Sequence, residues 1–145
     1  MTNHKQHQPV LLSEAIQALQ IQPDQWYLDA TFGRGGHTQA MLEKGAKVIA
    51  FDFDQQAVNY GQDFFSQQIE AGQLILLREN FANLKPAITD LKADQFVSGP
   101  ILGILFDFGT TQDQLKSETR GFSFATDEAK LDMRMDQRLG VKASD

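Results

Sequence analysis

Four short apolar runs along the chain alternate with longer stretches in which apolar residues recur at helical spacing. The run at 47–51 is apolar throughout, which is typical of a strand buried on both faces in a parallel sheet. The runs predicted to be strands are 26–32, 47–51, 73–77 and 101–106. The stretches predicted to be helices are 10–19, 37–44, 55–69 and 81–91.

Glycine and proline mark where several of these helices begin or end. Gly45 and Gly72 follow the last turns of two predicted helices, where glycine readily adopts the left-handed conformation that ends a helix. Pro86 is expected in the first turn of the last helix, because only there is its missing N–H tolerated. The pattern therefore separates the elements by short loops.

The alternation of strand and helix predicts an α/β fold, a doubly wound parallel sheet with helices on both faces. A chain of 145 residues favours one globular domain. The regular pattern stops after Gly109, so we predict an α/β unit over 1–109 and an irregular segment over 110–145.

The most informative residues lie where predicted strands end, which is where doubly wound folds bind ligands. Gly33, Gly35 and Gly36 follow the first strand and would let backbone N–H groups approach a nucleotide. Asp52 ends the second strand, where a carboxylate accepts hydrogen bonds from ribose hydroxyls. Asp54 is expected to cap the next helix instead. The alternative is a turn that is glycine-rich only for close packing.

Two further residues bear on the type of cofactor. A dinucleotide fingerprint beginning at Gly33 requires a small residue at position 38, where this chain has Thr38. Asp29 precedes the turn and suits the amino-acid part of S-adenosylmethionine, although it could instead only order the loop. These features favour S-adenosylmethionine over NAD, and a nicotinamide-dependent oxidoreductase remains an alternative.

Composition excludes several other classes of protein. The chain has no cysteine, and its three histidines lack metal-ligand spacing, so no metal site is predicted. The formal net charge of -6 argues against nucleic-acid binding by broad electrostatic attraction. Without a long apolar run, we expect a soluble, cytoplasmic protein that does not contact membranes.

Taken together, the motifs resemble those of the bacterial small-subunit (16S) ribosomal RNA cytosine-N4 methyltransferases. The matching segments are Pro9 to Leu12 with Glu14, YLDATFGRGGH at 27–37, Phe51 and Asp52 with Asp54, GILFDFG at 103–109, RGFSF at 120–124 and LDMRMD at 131–136. The resemblance covers nearly the whole chain, in the same order and spacing.

The resemblance implies a Rossmann-like (class I) methyltransferase fold, of which the first four strands are present here. It implies transfer of a methyl group from S-adenosylmethionine to a cytidine in the decoding region of 16S rRNA within the small ribosomal subunit. The cofactor contacts it implies are Gly35, Gly36, His37, Asp52, Phe81, Asp107 and Gln114. From the residues alone, Phe81 would be a core residue and Gln114 an ordinary loop residue.

Asp107, at the end of the fourth strand, is our candidate catalytic residue. It, or the nearby main-chain carbonyls, would supply the acceptor for the hydrogen bonds and later the proton of the cytosine amine. Phe122 or Phe124 would stack on the base and Arg120 and Arg134 would contact phosphates, or the four would form a hydrophobic plug with solvated arginines.

The family carries Val-Ser-Ser-Pro where this chain has TTQD at 110–113. Its members continue into a helical insert domain and the remaining strands. We therefore expect this chain to be the cofactor-binding N-terminal part, with a catalytically incomplete binding module as the alternative.

Overall fold

The computed structural model describes residues 11–109 and Arg138. The strands are β1 (Trp26–Asp29), β2 (Lys47–Asp52), β3 (Leu74–Arg78) and β4 (Ile101–Leu105). The helices are α1 (Leu12–Ala18), α2 (Gly36–Glu43), α3 (Gln55–Phe64), α4 (Ser66–Glu70) and α5 (Leu84–Ala93), and a 3-10 turn covers Phe81–Asn83. Within the described part of the chain, no helix is long and apolar enough to cross a membrane.

The four strands form one parallel sheet in the order β3-β2-β1-β4. Each strand is separated from the next by helical structure, so the predicted α/β, Rossmann-like architecture is confirmed. The chain moves outward from β1 to β3 and then crosses back to place β4 on the other side of β1. The direction of winding therefore reverses between β1 and β4. The candidate residues follow these two strands, at the carboxyl ends where such folds bind ligands.

Two hydrophobic clusters cover the two faces of the sheet. On one face, Tyr27, Met41 and Phe65 belong to a core that α1 to α4 help to form. On the other face, Leu28 and Phe51 pack with partly buried residues of α5. Successive residues of β1 point to opposite faces, and all four are buried, as expected for a central strand of a parallel sheet.

Within residues 11–109, β4 lies at an edge of the sheet. Leu105 is buried, whereas Leu102 and Ile104 are exposed, and the pairing of β4 with β1 shifts register between Ile101 and Gly103. Gly103 lies on the inward face, where a Cβ would come within 2.7 Å of Leu19 Cδ2. The exposed side chains of Leu102 and Ile104 leave apolar surface on this strand.

Most predicted elements differ from the structure by a residue or two at their ends, and three differ by more. The strand predicted over 26–32 already ends at Asp29. The helix predicted over 55–69 is broken at Phe65, whose backbone (φ -105, ψ 22) leaves helical geometry between α3 and α4. Phe65 is buried and its ring packs edge to face on Phe32, so tertiary packing fixes the break. The helix predicted from Phe81 begins as the 3-10 turn, and Pro86 lies in the first turn of α5, as predicted.

The Phe32 ring is held between two glycines. A Cβ added at Gly61 on α3 would lie 2.6 Å from Phe32 Cζ and 2.5 Å from Leu76 Cδ2, and one added at Gly35 would lie 2.8 Å from Phe32 Cε2. These separations are far below van der Waals contact. The absence of a side chain at Gly61 therefore lets α3 approach the sheet.

We expect Gly61→Ala to lower the free energy of unfolding by about 1–2 kcal/mol, because overpacking a core outweighs the gain of about 1 kcal/mol from replacing helical glycine by alanine. Urea denaturation followed by circular dichroism measures this change. Gly109→Ala is the control, because no heavy atom of residues 11–108 lies within 4 Å of its added Cβ. A stabilised Gly61→Ala variant would contradict the tight packing of α3.

Candidate functional site

The glycine turn between β1 and α2 lies at the carboxyl end of the central strand. Gly33 (φ 55) and Gly35 (φ 73) have left-handed backbone conformations, which residues other than glycine rarely adopt. Gly35 is the N-cap of α2, and no side chain caps this helix. The N–H groups of the first turn of α2 are therefore not covered by a capping side chain, which is the arrangement that suits an anionic or polar ligand group.

Asp52 connects this turn to the end of β2. One carboxylate oxygen accepts a hydrogen bond from the Gly33 N–H (2.8 Å), and the other accepts one from the Asp54 N–H (2.8 Å). Burial raises the pKa of Asp52, and the two backbone hydrogen bonds oppose that rise. Asp54 accepts from the Gln56 N–H at the start of α3, which confirms its predicted role as a helix cap.

Asp29 lies beneath the turn and has no exposed surface. Its carboxylate accepts hydrogen bonds from the Thr38 hydroxyl (2.7 Å) and the Thr31 N–H (3.2 Å). Burial raises its pKa more than these hydrogen bonds lower it. Asp29 thus ties the turn to the first helical residues after it, so the geometry favours the interpretation in which Asp29 orders the loop.

Thr38 occupies the position at which a dinucleotide fingerprint requires a small residue. The structure gives it a specific partner, because its hydroxyl donates to Asp29 while the residue is completely buried. A buried hydroxyl and a buried carboxylate each require a hydrogen-bond partner, and here each satisfies the other. The residue at 38 is therefore part of the support of the turn.

Asp107 follows β4 and lies close to His37 of α2. Its N–H donates to the Thr31 hydroxyl (2.7 Å), and its Oδ2 is 3.8 Å from His37 Nδ1. The Asp107 side chain is 49 % exposed, whereas that of His37 is 7 % exposed. The fold therefore brings together two predicted site residues that are seventy positions apart, with the carboxylate on the accessible side.

Three phenylalanines form an aromatic group after β3 and β4. The Phe81 ring packs edge to face on Phe106 and Phe108, with centroids 6.0 and 5.5 Å away. The rings of Phe106 and Phe108 stack at 5.6 Å. Phe81 also packs against the core on the α5 side, in line with its interpretation from the residues alone.

Every predicted cofactor residue except Gln114 lies in the described part of the chain, just after or at the end of a strand. Gly35, Gly36 and His37 follow β1, Asp52 ends β2, Phe81 follows β3 and Asp107 follows β4. Gln114 and the candidate RNA-contacting residues at 120–134 lie outside the described residues. In residues 11–109, no three His, Asp or Glu side chains form a group that could hold a metal ion.

Sequence reasoning gave no role to Thr31, Phe106 or Phe108. All three lie within the motifs that carry the family resemblance, and Thr31 stands two residues before the glycine turn. Their place in these motifs was the only sign in the sequence that they belong to the site. The sequence could not show that Thr31 binds Asp107, because this hydrogen bond joins residues 76 positions apart.

Comparison with known proteins extends this picture. Residues 4–145 match the family model described as the MraW methylase family. The chain belongs to that family. The family predicted from the sequence motifs is thereby confirmed.

Several curated relatives share the name ribosomal RNA small subunit methyltransferase H. The one from Ruthia magnifica subsp. Calyptogena magnifica is 43 % identical over 145 residues, which cover 98 % of this chain and 44 % of that protein. The one from Ureaplasma parvum serovar 3 is 41 % identical over 141 residues (95 % and 43 %), and that from Burkholderia ambifaria is 37 % identical over 148 (100 % and 44 %). The chain spans less than half the length of these relatives.

The buried carboxylate of Asp29 gives a test of the geometry beneath the turn. Because its pKa is raised in the folded state, the folded protein binds more protons than the unfolded chain between the ordinary and the raised pKa. The contribution of Asp29 to the free energy of unfolding therefore falls as the pH rises through that interval. Asp29→Asn removes this titration, and its amide can donate to the Thr38 oxygen while its carbonyl accepts from Thr31.

We expect Asp29→Asn to be more stable than the wild type at pH 7, with a difference that disappears as the pH falls below the ordinary pKa of aspartate. Urea denaturation between pH 3.5 and 7 measures the difference at each pH. Asp63→Asn, the same change on the exposed surface of α3, is the control. A constant difference across this range would show that the charge of Asp29 does not cause it.

Proposed function

We propose that this chain is the S-adenosylmethionine-binding part of an enzyme that methylates N4 of a cytidine in the decoding region of 16S rRNA. One observation carries the proposal: three polar groups lie at the carboxyl ends of the adjacent strands β1, β2 and β4. They are the uncapped start of α2, the Asp52 carboxylate and the Asp107 carboxylate. Membership of the MraW methylase family and the names of the relatives support it. The substrate is then small-subunit rRNA in the bacterial cytoplasm.

The charges at this edge fit S-adenosylmethionine better than a dinucleotide. Asp52 ends β2 and Asp107 follows β4, which are the strands on either side of β1. Acidic side chains attract the sulfonium and ammonium groups of S-adenosylmethionine, whereas they repel the pyrophosphate of NAD. The first turn of α2 is available for the cofactor carboxylate.

The residues that would hold the cofactor are those named from the sequence. Gly35, Gly36 and His37 would bind it at the start of α2. Asp52 would accept hydrogen bonds from the ribose hydroxyls, because each carboxylate oxygen retains acceptor capacity beside the backbone hydrogen bond that it accepts. Phe81, Asp107 and Gln114 would complete the contacts.

S-adenosylmethionine, when bound, supplies an electrophilic methyl group. The contribution of the chain is to place the acceptor amine and to remove its proton. Asp107 is suited to the second task, because its carboxylate is half exposed while its backbone is fixed by Thr31. We propose that Asp107 accepts hydrogen bonds from the cytosine amine and then takes up the proton lost from its nitrogen.

RNA and this acidic chain carry charge of the same sign. Because the formal net charge is -6, local basic groups would have to bind the phosphates, and Arg120 and Arg134 are our candidates. Phe122 or Phe124 would stack on the base. Residues 1–109 would form the cofactor-binding half-domain, and 110–145 would lead toward a helical insert domain.

Two alternative functions are tested by the same samples. Calorimetric titration with S-adenosylmethionine and with NAD distinguishes a methyltransferase from an oxidoreductase, and micromolar binding of NAD alone would refute the proposal. Incorporation of labelled methyl groups into small ribosomal subunits distinguishes an active chain from a binding module. Binding of S-adenosylmethionine without methyl incorporation would favour the module.

We expect Asp52→Asn to weaken S-adenosylmethionine binding at least tenfold, which corresponds to about 1.4 kcal/mol. Each oxygen of the Asp52 carboxylate now accepts a hydrogen bond from a backbone N–H, of Gly33 or of Asp54. In asparagine an NH₂ group replaces one of these oxygens, so one backbone hydrogen bond of the turn is lost together with one acceptor for the ribose. Calorimetry measures the change in Kd. Asp54→Asn makes the same change in charge two residues away and should bind normally, because asparagine also caps helices. Equal Kd values for the two variants would contradict the role of Asp52.

A further inference from the structure

The Thr31 hydroxyl joins the ends of the first and fourth strands. Its Oγ1 accepts a hydrogen bond of 2.7 Å from the Asp107 N–H. In residues 11–109, no other hydrogen bond holds the backbone of Asp107, which lies beyond Leu105, the last residue of β4. The last backbone bond from β4 to this region is accepted by the Leu105 carbonyl from the Ala30 N–H (2.9 Å).

Thr31 is itself fixed from below. Its backbone N–H donates to the Asp29 carboxylate, which has no exposed surface and also accepts from the buried Thr38 hydroxyl. A continuous series of hydrogen bonds therefore runs from the core of the sheet, through Asp29 and Thr31, to the half-exposed Asp107. Rigid support of this kind is what keeps a reacting group in place.

β4 is an edge strand with a neighbour on only one side in the described part of the chain. Two kinds of contact hold the residues after it: the rings of Phe106 and Phe108 pack on Phe81, and the Thr31 hydroxyl binds the backbone of Asp107. If the Thr31 hydroxyl were absent, the backbone of Asp107 would lose its anchor, and its carboxylate would no longer be held 3.8 Å from His37 Nδ1. The hydrogen bond has little influence on the core, because Asp107 is exposed.

We propose that Thr31 is a positioning residue, whose hydroxyl fixes Asp107 so that its carboxylate can accept the proton of the target amine. This inference rests on the proposed function and adds to it a residue with no assigned role. Thr31 acts through Asp107 and not by taking up the proton itself. Its loss is therefore expected to slow methyl transfer more than it weakens cofactor binding.

The test compares Thr31→Val, which keeps the shape and removes the hydroxyl, with Thr31→Ser, which keeps the hydroxyl. We expect kcat for methylation of small ribosomal subunits to fall at least tenfold in Thr31→Val, because small displacements of a reacting group have large effects on rate. The Kd for S-adenosylmethionine should change less than threefold. Thr31→Ser should keep kcat within about threefold of the wild type.

Thr89→Val is the matched control, since it removes a hydroxyl that donates to the Lys85 carbonyl on the exposed surface of α5. Its kcat should equal that of the wild type. Amide hydrogen exchange measured by NMR gives an independent readout: the Asp107 N–H should exchange faster in Thr31→Val, and the amides of β1 and β2 should not change.

Several outcomes would overturn the inference. These are a normal kcat in Thr31→Val, an equal loss in Thr31→Ser, a weaker Kd with unchanged kcat, or unchanged exchange at Asp107. In each of these cases an active wild type leaves the proposed function intact. A wild type that does not bind S-adenosylmethionine refutes the proposed function itself. One that binds S-adenosylmethionine without methylating overturns both the proposed activity and the inference.

Discussion

The buried carboxylate of Asp29 is the interaction on which the carboxyl edge of this sheet depends. A carboxyl group without exposed surface requires hydrogen-bond partners, and Asp29 obtains two of them from the segment that follows it. The requirement is mutual, because Thr38 is also completely buried. One satisfied polar group thereby fixes the end of β1, the glycine turn and the first turn of α2 relative to one another.

Two further constraints fix the same turn. Asp52 holds the Gly33 N–H from the neighbouring strand, and the Phe32 ring fills the space between Gly35 and Gly61. Glycine is needed at Gly35 both for its left-handed backbone and because a Cβ would strike Phe32 and Phe65. The turn is therefore held by buried polar and aromatic groups, while its backbone N–H groups at the start of α2 stay uncapped.

The position of β4 explains why the candidate catalytic group needs separate support. A central strand such as β1 is held on both sides, whereas β4 pairs with β1 alone in the described part of the chain. Its apolar side chains Leu102 and Ile104 are exposed, and exposed apolar edges favour association. The backbone hydrogen bonds of β4 end at Leu105, and beyond them the side chain of Thr31 binds the backbone of Asp107.

The sequence by itself determined the four strands, the parallel α/β fold, the glycine turn, Asp52 at the end of β2 and Asp54 as a helix cap. Each depends on periodicity or on residue type within a few positions. Only the tertiary structure decided that Asp29 supports the loop, that the helix predicted over 55–69 breaks at Phe65 and that Thr31 holds Asp107. The burial of Asp29 and the packing of Phe65 on Phe32 arise only when the elements assemble. The crossover that brings Thr31 and Asp107 together over 76 positions leaves no mark in the local pattern.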